Sequence, residues 1–152
     1  MKYRPISIYI LCIIMFFQAV CGVGGGLSLV IRPDGSILHM PISSLVGSPF
    51  HNFLFPGFCL LFLLGIIPGL TCWGLFKKPK SRWFGYFNIY TNRHWSWAYS
   101  LYIGIMLVFW IDVEVIVIGF GSALQAFFGI LGLFIIVLAL LPRVMKHYKI
   151  KK

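Results

Sequence analysis

Acidic side chains are nearly absent: the 152 residues hold three, Asp34, Asp112 and Glu114, against thirteen Lys and Arg. Asp112 and Glu114 stand two apart, so on a helix they would point about 200° apart and cannot act as an acid–base dyad on one face. Four-span thiol-oxidising proteins rely on a Cys-x-x-Cys pair, and none occurs among Cys12, Cys21, Cys59 and Cys72. Histidine is missing from the long apolar runs: His39, His51, His94 and His147 all lie outside them, which argues against a transmembrane haem. No motif brings together a Ser-His-Asp set or a zinc site from His39 and His51. Neither an enzyme nor a cofactor is expected.

What the chain has in abundance is apolar sequence, 60% of residues, with a mean hydropathy of +0.93 and only 11% charged residues. Soluble chains average about a quarter charged. Four apolar segments, residues 5–23, 56–76, 98–118 and 123–141, are each near the roughly 20 residues needed to cross a hydrocarbon core. They leave no room in residues 1–152 for a separate soluble domain. Lys2 and Arg4 precede the first; Lys77, Lys78, Lys80, Arg82 and Arg93 lie between the second and third; Arg143, Lys146, Lys149, Lys151 and Lys152 follow the fourth. Arg32 alone lies on the other side, so the positive-inside rule makes both termini cytoplasmic and residues 24–55 an external loop. The net charge of +10 thereby finds its explanation in topology rather than in nucleic acid, and the basic tail can also attract anionic lipid headgroups. A cleaved signal sequence ending near Cys21 is the alternative for the first segment, with Val20 an unsuitable residue before the cut.

The loop carries turn signals. Gly24, Gly25 and Gly26 are expected to release the chain from the first helix. Leu27 to Ile31 and Ile37 to Met40 then read as strands of a β-hairpin around Pro33-Asp34-Gly35. Ser48-Pro49 reads as the start of a short interfacial helix to Phe53, broken before Pro56. Pro68 should disturb the second span, and Gly65, Gly69, Gly129 and Gly132 are candidate close-packing positions. Ser122 and Gln125 have the spacing of a capping box, and the tight connection before them makes the last two spans an antiparallel hairpin. Counted from the cytoplasmic ends, Cys21 and Cys59 reach similar depth, which allows a disulfide between them; free thiols packed as small hydrophobes are the commoner state.

The chain resembles a group of small, uncharacterised four-span bacterial integral membrane proteins. The resemblance rests on Pro33-Asp34-Gly35, Ser48-Pro49-Phe50 followed by Pro56-Gly57, and Trp110-Ile111 with Glu114 ahead of Leu124-Gln125. It implies a bacterial cytoplasmic membrane location and brings no catalytic residue with it. The expected architecture is therefore an all-α membrane protein, four transmembrane helices in an antiparallel bundle, with an external β-hairpin and a short interfacial helix between the first two. Its expected role is that of a non-enzymatic accessory or assembly protein with a membrane-protein partner or a second copy of itself. The alternative is a small transporter or channel using Glu114 and Asp112, and a membrane redox protein ranks behind both. Ionisable groups at such depth ordinarily have partners. Arg32, the lone external cation, is the expected partner of Glu114.

Overall fold

The computed structural model describes residues 4–150; Lys2, Lys151 and Lys152, counted above among the cytoplasmic charges, lie outside them. Four helices are long and apolar enough to cross a membrane: α1 (Ile6–Ile31), α2 (Leu54–Lys77), α3 (Trp95–Ile118) and α4 (Ala123–Leu140). No strand occurs among the described residues, where the only bridge pairs Arg93 with Lys149.

The expected β-hairpin is not formed. Leu27 to Ile31 are the last turns of α1, which runs straight through Gly24, Gly25 and Gly26, and Ser36–Leu38 is a 3-10 turn. Tertiary packing outweighs the glycines' low helix propensity: Gly26 lies against the backbone of Leu61, where a Cβ would come within 2.5 Å of the Leu61 nitrogen. The helix stops where Pro33 forces Arg32 out of helical geometry (φ −128°, ψ 84°). Asp34 does make a turn: its Oδ1 accepts from the Ser36 backbone N–H (3.1 Å) and hydroxyl (2.8 Å), which hold this carboxyl below its ordinary range. Gly35 has φ +75°, and its N–H donates to Arg32 O.

The interfacial helix expected at Pro49 to Phe53 is also absent. A 3-10 turn at Ile42–Leu45 precedes that stretch, which is itself without regular structure, and α2 begins at Leu54. Pro56 sits in its first turn rather than after a break, because the first N–H groups of a helix have no intrahelical partner to lose. Pro68 acts further along. It cannot donate to Leu64 O, and the helix ahead of it, Phe62–Ile66, widens into π geometry.

Gly22 of α1 meets the Leu64 carbonyl so closely that any Cβ there would overlap it, and Gly65 lies against Val23 N and the Gly22 carbonyl carbon. The α3–α4 pair approaches in the same way, a Cβ on Gly132 meeting Val108 Cγ2 at 2.9 Å and one on Gly104 meeting Gly132 O at 3.0 Å. Gly69 and Gly129, named with Gly65 and Gly132 from the sequence, have ordinary contacts at 3.6 and 3.8 Å. Between the pairs lies a core of Ile8, Leu11, Met15, Leu64, Leu75, Leu101, Ile103, Leu107 and Ile135.

At the end of the bundle bearing the chain termini, the tail closes over the α2–α3 connection. Tyr148 is buried, its hydroxyl donates to Leu75 O (2.7 Å), and its carbonyl accepts from His94 N (2.8 Å). Ile150 N donates to Asn92 O, Lys78 Nζ lies over the Tyr148 ring, and Trp97 Nε1 donates to Ala139 O (2.7 Å) in the last turn of α4. Trp83, Tyr86, Phe87 and Ile89 project from the same connection, exposed.

A candidate ligand cavity at the loop end

At the opposite end, the segment between α1 and α2 folds over the bundle. Leu45 and Phe53 are buried against Leu29, with Met40, Phe50, Leu60, Val117 and Ile118 packed around them. The Phe53 N–H donates to Pro33 O (2.9 Å), which pins the far end of the segment to its beginning. Docking is thus apolar, and the expected Arg32–Glu114 pair is not what holds it. Arg32 is exposed at the end of α1.

Beneath this roof lies a cavity of about 330 Å³. Its wall runs from Gln18 to Leu29 on α1 and from Leu107 to Ile118 on α3, about 17 Å along each at 1.5 Å per residue. Pro56, Cys59, Leu60 and Leu64 of α2, Leu124, Gln125 and Phe128 of α4, and Leu38, Met40, Leu45, Phe50 and Phe53 of the roof complete it. All four spans contribute. Apart from two thiols and an indole, the polar side chains in the lining are Gln18, Glu114 and Gln125.

The α4 start fixes two of them. The Ser122 hydroxyl accepts from Leu124 N (3.1 Å), while Gln125 Oε1 accepts from Gly121 N (3.1 Å) and Ser122 N (3.3 Å), so the expected capping box is formed. The amide end of the same side chain donates to Gly119 O (3.1 Å) and to Glu114 Oε1 (3.2 Å). Every polar atom of Gln125 is thereby occupied, and the Glu114 carboxylate is held at the cavity wall. Trp110, one turn earlier on α3, reaches the same carboxylate. Among the described residues no cation pairs with Glu114.

Gln18 is 2% exposed. Its Nε2 donates to Leu64 O (3.1 Å), the carbonyl that Pro68 cannot serve, and this orients the amide. Its Oε1 has no hydrogen-bond partner among the described residues. A buried acceptor left so costs about 1–3 kcal/mol. Asp112 is exposed, on the side of α3 away from Glu114, so the two acids do not share a site.

Cys21 and Cys59 both line the cavity, as free half-buried thiols rather than a disulfide. Gly22, not Cys21, makes the close contact with α2, which turns Cys21 about 100° away from that contact. The cavity itself was not foreseen from the sequence. The one signal pointing to it was Gln18, an amide in the middle of an otherwise apolar span.

Among the described residues no group of three or more His, Cys, Asp or Glu side chains is placed to hold a metal ion. Compared with protein-family models, curated proteins and solved structures, the chain matches none.

Proposed function

We propose that the chain is a non-enzymatic, multi-pass membrane protein that binds an apolar molecule taken from the bilayer in the cavity at the loop end of its bundle. The observation that carries this reading is the cavity. A half-open, mainly apolar cavity of about 330 Å³ has the size of pockets that hold small ligands. Four spans and a separately docked segment all contribute to it, so a ligand there would couple them. The accessory role read from the sequence then has a physical content: occupancy of the cavity sets how firmly the roof is held, and the roof is the surface offered to a partner. The charge distribution favours cytoplasmic termini, and the resemblance to small bacterial four-span proteins favours the cytoplasmic membrane.

A carrier or channel is the second reading, since Glu114 gives the cavity one charged group. It would need a second way in from the other end, where Leu11, Met15, Leu75, Leu101 and Ile103 fill the space between the spans. Binding without passage therefore fits better.

The test is purification in a mild detergent followed by mass spectrometry of the intact protein and of its extract. Wild-type protein is expected to keep an apolar molecule at about one per chain. Cys59→Trp, which places a large ring in the cavity, is expected to lose it while keeping its helix content. Identical retention by both proteins, or none by wild type, would refute the proposal.

A further inference from the structure

We infer that the molecule the cavity accepts is a hydrophobic amine, an apolar body carrying a protonated nitrogen. The inference rests on the cavity being a binding site and adds the chemistry of the head group. It follows from a count of donors and acceptors. Gln125 has no polar atom to spare, and the amide nitrogen of Gln18 is committed to Leu64 O. The Gln18 Oε1, unpartnered among the described residues, is closed off from the cavity space, so the one charged group left in the wall is the Glu114 carboxylate, engaged by Gln125 and reached by Trp110.

Glu114 stands one turn from the end of α3, and the rest of the wall below it is mainly apolar. An anionic head group would meet a carboxylate and no cation. A neutral alcohol could donate to the carboxylate but would leave it without a counter-charge, a costly state within a span. A protonated amine supplies both donors and charge, and the Trp110 ring in the same wall suits a cation.

The experiment uses the full chain in detergent micelles at neutral pH and three probes of one chain length: octylamine, octanol and octanoate. Binding is read as protection of Cys21 and Cys59 from a small maleimide, resolved site by site by mass spectrometry, because both thiols line the cavity. Octylamine is expected to protect at about tenfold lower concentration than octanol, the scale of one charge-assisted hydrogen bond, and octanoate least of all. Glu114→Gln keeps the size of the side chain and an oxygen for Gln125, and is expected to bring octylamine to the level of octanol. Asp112→Asn, on the exposed face, should leave the ranking unchanged.

Equal protection by octylamine and octanol in wild type would overturn the head-group inference and leave the cavity a binding site. The head-group inference falls equally if Asp112→Asn rather than Glu114→Gln abolishes the preference, which would mark a general attraction of amines to the acidic end. Failure of all three probes to protect would remove the binding site as well.

Discussion

Gln18 and Pro68 are a matched pair on two helices. Proline leaves the Leu64 carbonyl without its helical donor, and the glutamine amide crosses from α1 to replace it. Gln18→Leu should therefore lower stability, but by less than the about 1–3 kcal/mol of an orphaned buried acceptor, because it also removes the unpartnered Oε1. In a Pro68→Ala background, where residue 68 regains an N–H, the same substitution should cost clearly less. Thermal unfolding of the four proteins in one detergent measures this coupling, and strictly additive losses would mean that Leu64 O finds its donor elsewhere. His94 is a second residue whose partners define its state. The Ser96 N–H donates to its Nδ1, which caps α3, and Nε2 donates to Pro79 O, so the neutral ring satisfies both. Burial lowers its proton affinity and Lys78 adds to that, against the opposing pull of the Pro79 carbonyl. With the folded pKa depressed, the contribution to stability is present above the unfolded value near about 6.5 and is lost as pH falls through the folded one. The melting temperature of wild type should thus drop more between about pH 7.5 and about pH 5, a range that includes the titration of the unfolded state, than that of His94→Asn, whose amide still caps the helix but does not titrate. Parallel drops would exclude His94 as the cause.

At the scale of elements, the α1–α2 contact explains why a glycine-rich stretch stays helical. Gly22 and Gly26 face backbone atoms of α2, whereas Gly24 faces open space. Gly22→Ala must drive a methyl group into the Leu64 carbonyl and should cost about 1–3 kcal/mol, as overpacking does. Gly24→Ala meets nothing within 4 Å and should be neutral or stabilise by up to about 1 kcal/mol. Helix content and melting temperature of the two variants decide the point, and an equal response would deny the close approach. The mistaken hairpin has the same origin. Three glycines read locally as an exit from a helix, and only the neighbouring helix shows that Gly26 is a position of close backbone contact. The capping box at Ser122 and Gln125 was readable because a cap is local, made within a few residues of the chain. What the sequence did not reveal is that the same Gln125 reaches Glu114, a residue of another helix.

For the whole molecule, the charge pattern makes a prediction that needs no contacts. Reporter fusions after Lys80 and at Lys152 should report cytoplasm and one at Gly35 the exterior, because charge bias acts over short connections such as these. An external signal at Lys152 would mean that one span does not cross. At the end of the bundle opposite the cavity, the tail and the α2–α3 connection hold each other through Tyr148, His94, Asn92 and Lys78, which joins the segment after α4 to the middle of the chain. Tyr148→Phe removes the bond to Leu75 O alone, and should loosen the tail enough to quicken proteolysis after Lys146 and Lys149 without changing labelling of Cys21 and Cys59 at the far end. Altered labelling there would show that the two ends are coupled.

The number of spans, their limits to within a few residues on α2, α3 and α4, and the side on which charge collects were determined by the sequence itself, since each depends on runs of residues and their composition. The extension of α1 to Ile31, the choice of Gly22 over Gly69 as a contact, the roof over the bundle and the cavity beneath it were decided by tertiary structure. They depend on which side chains from distant segments meet and on the space those side chains fail to fill. Glu114 stands at the boundary between the two. Its presence in an apolar span was visible from composition, but its partner could be named only once α4 was packed beside α3, because the hydrogen bond from Gln125 is set by the approach of two helices and not by the properties of either.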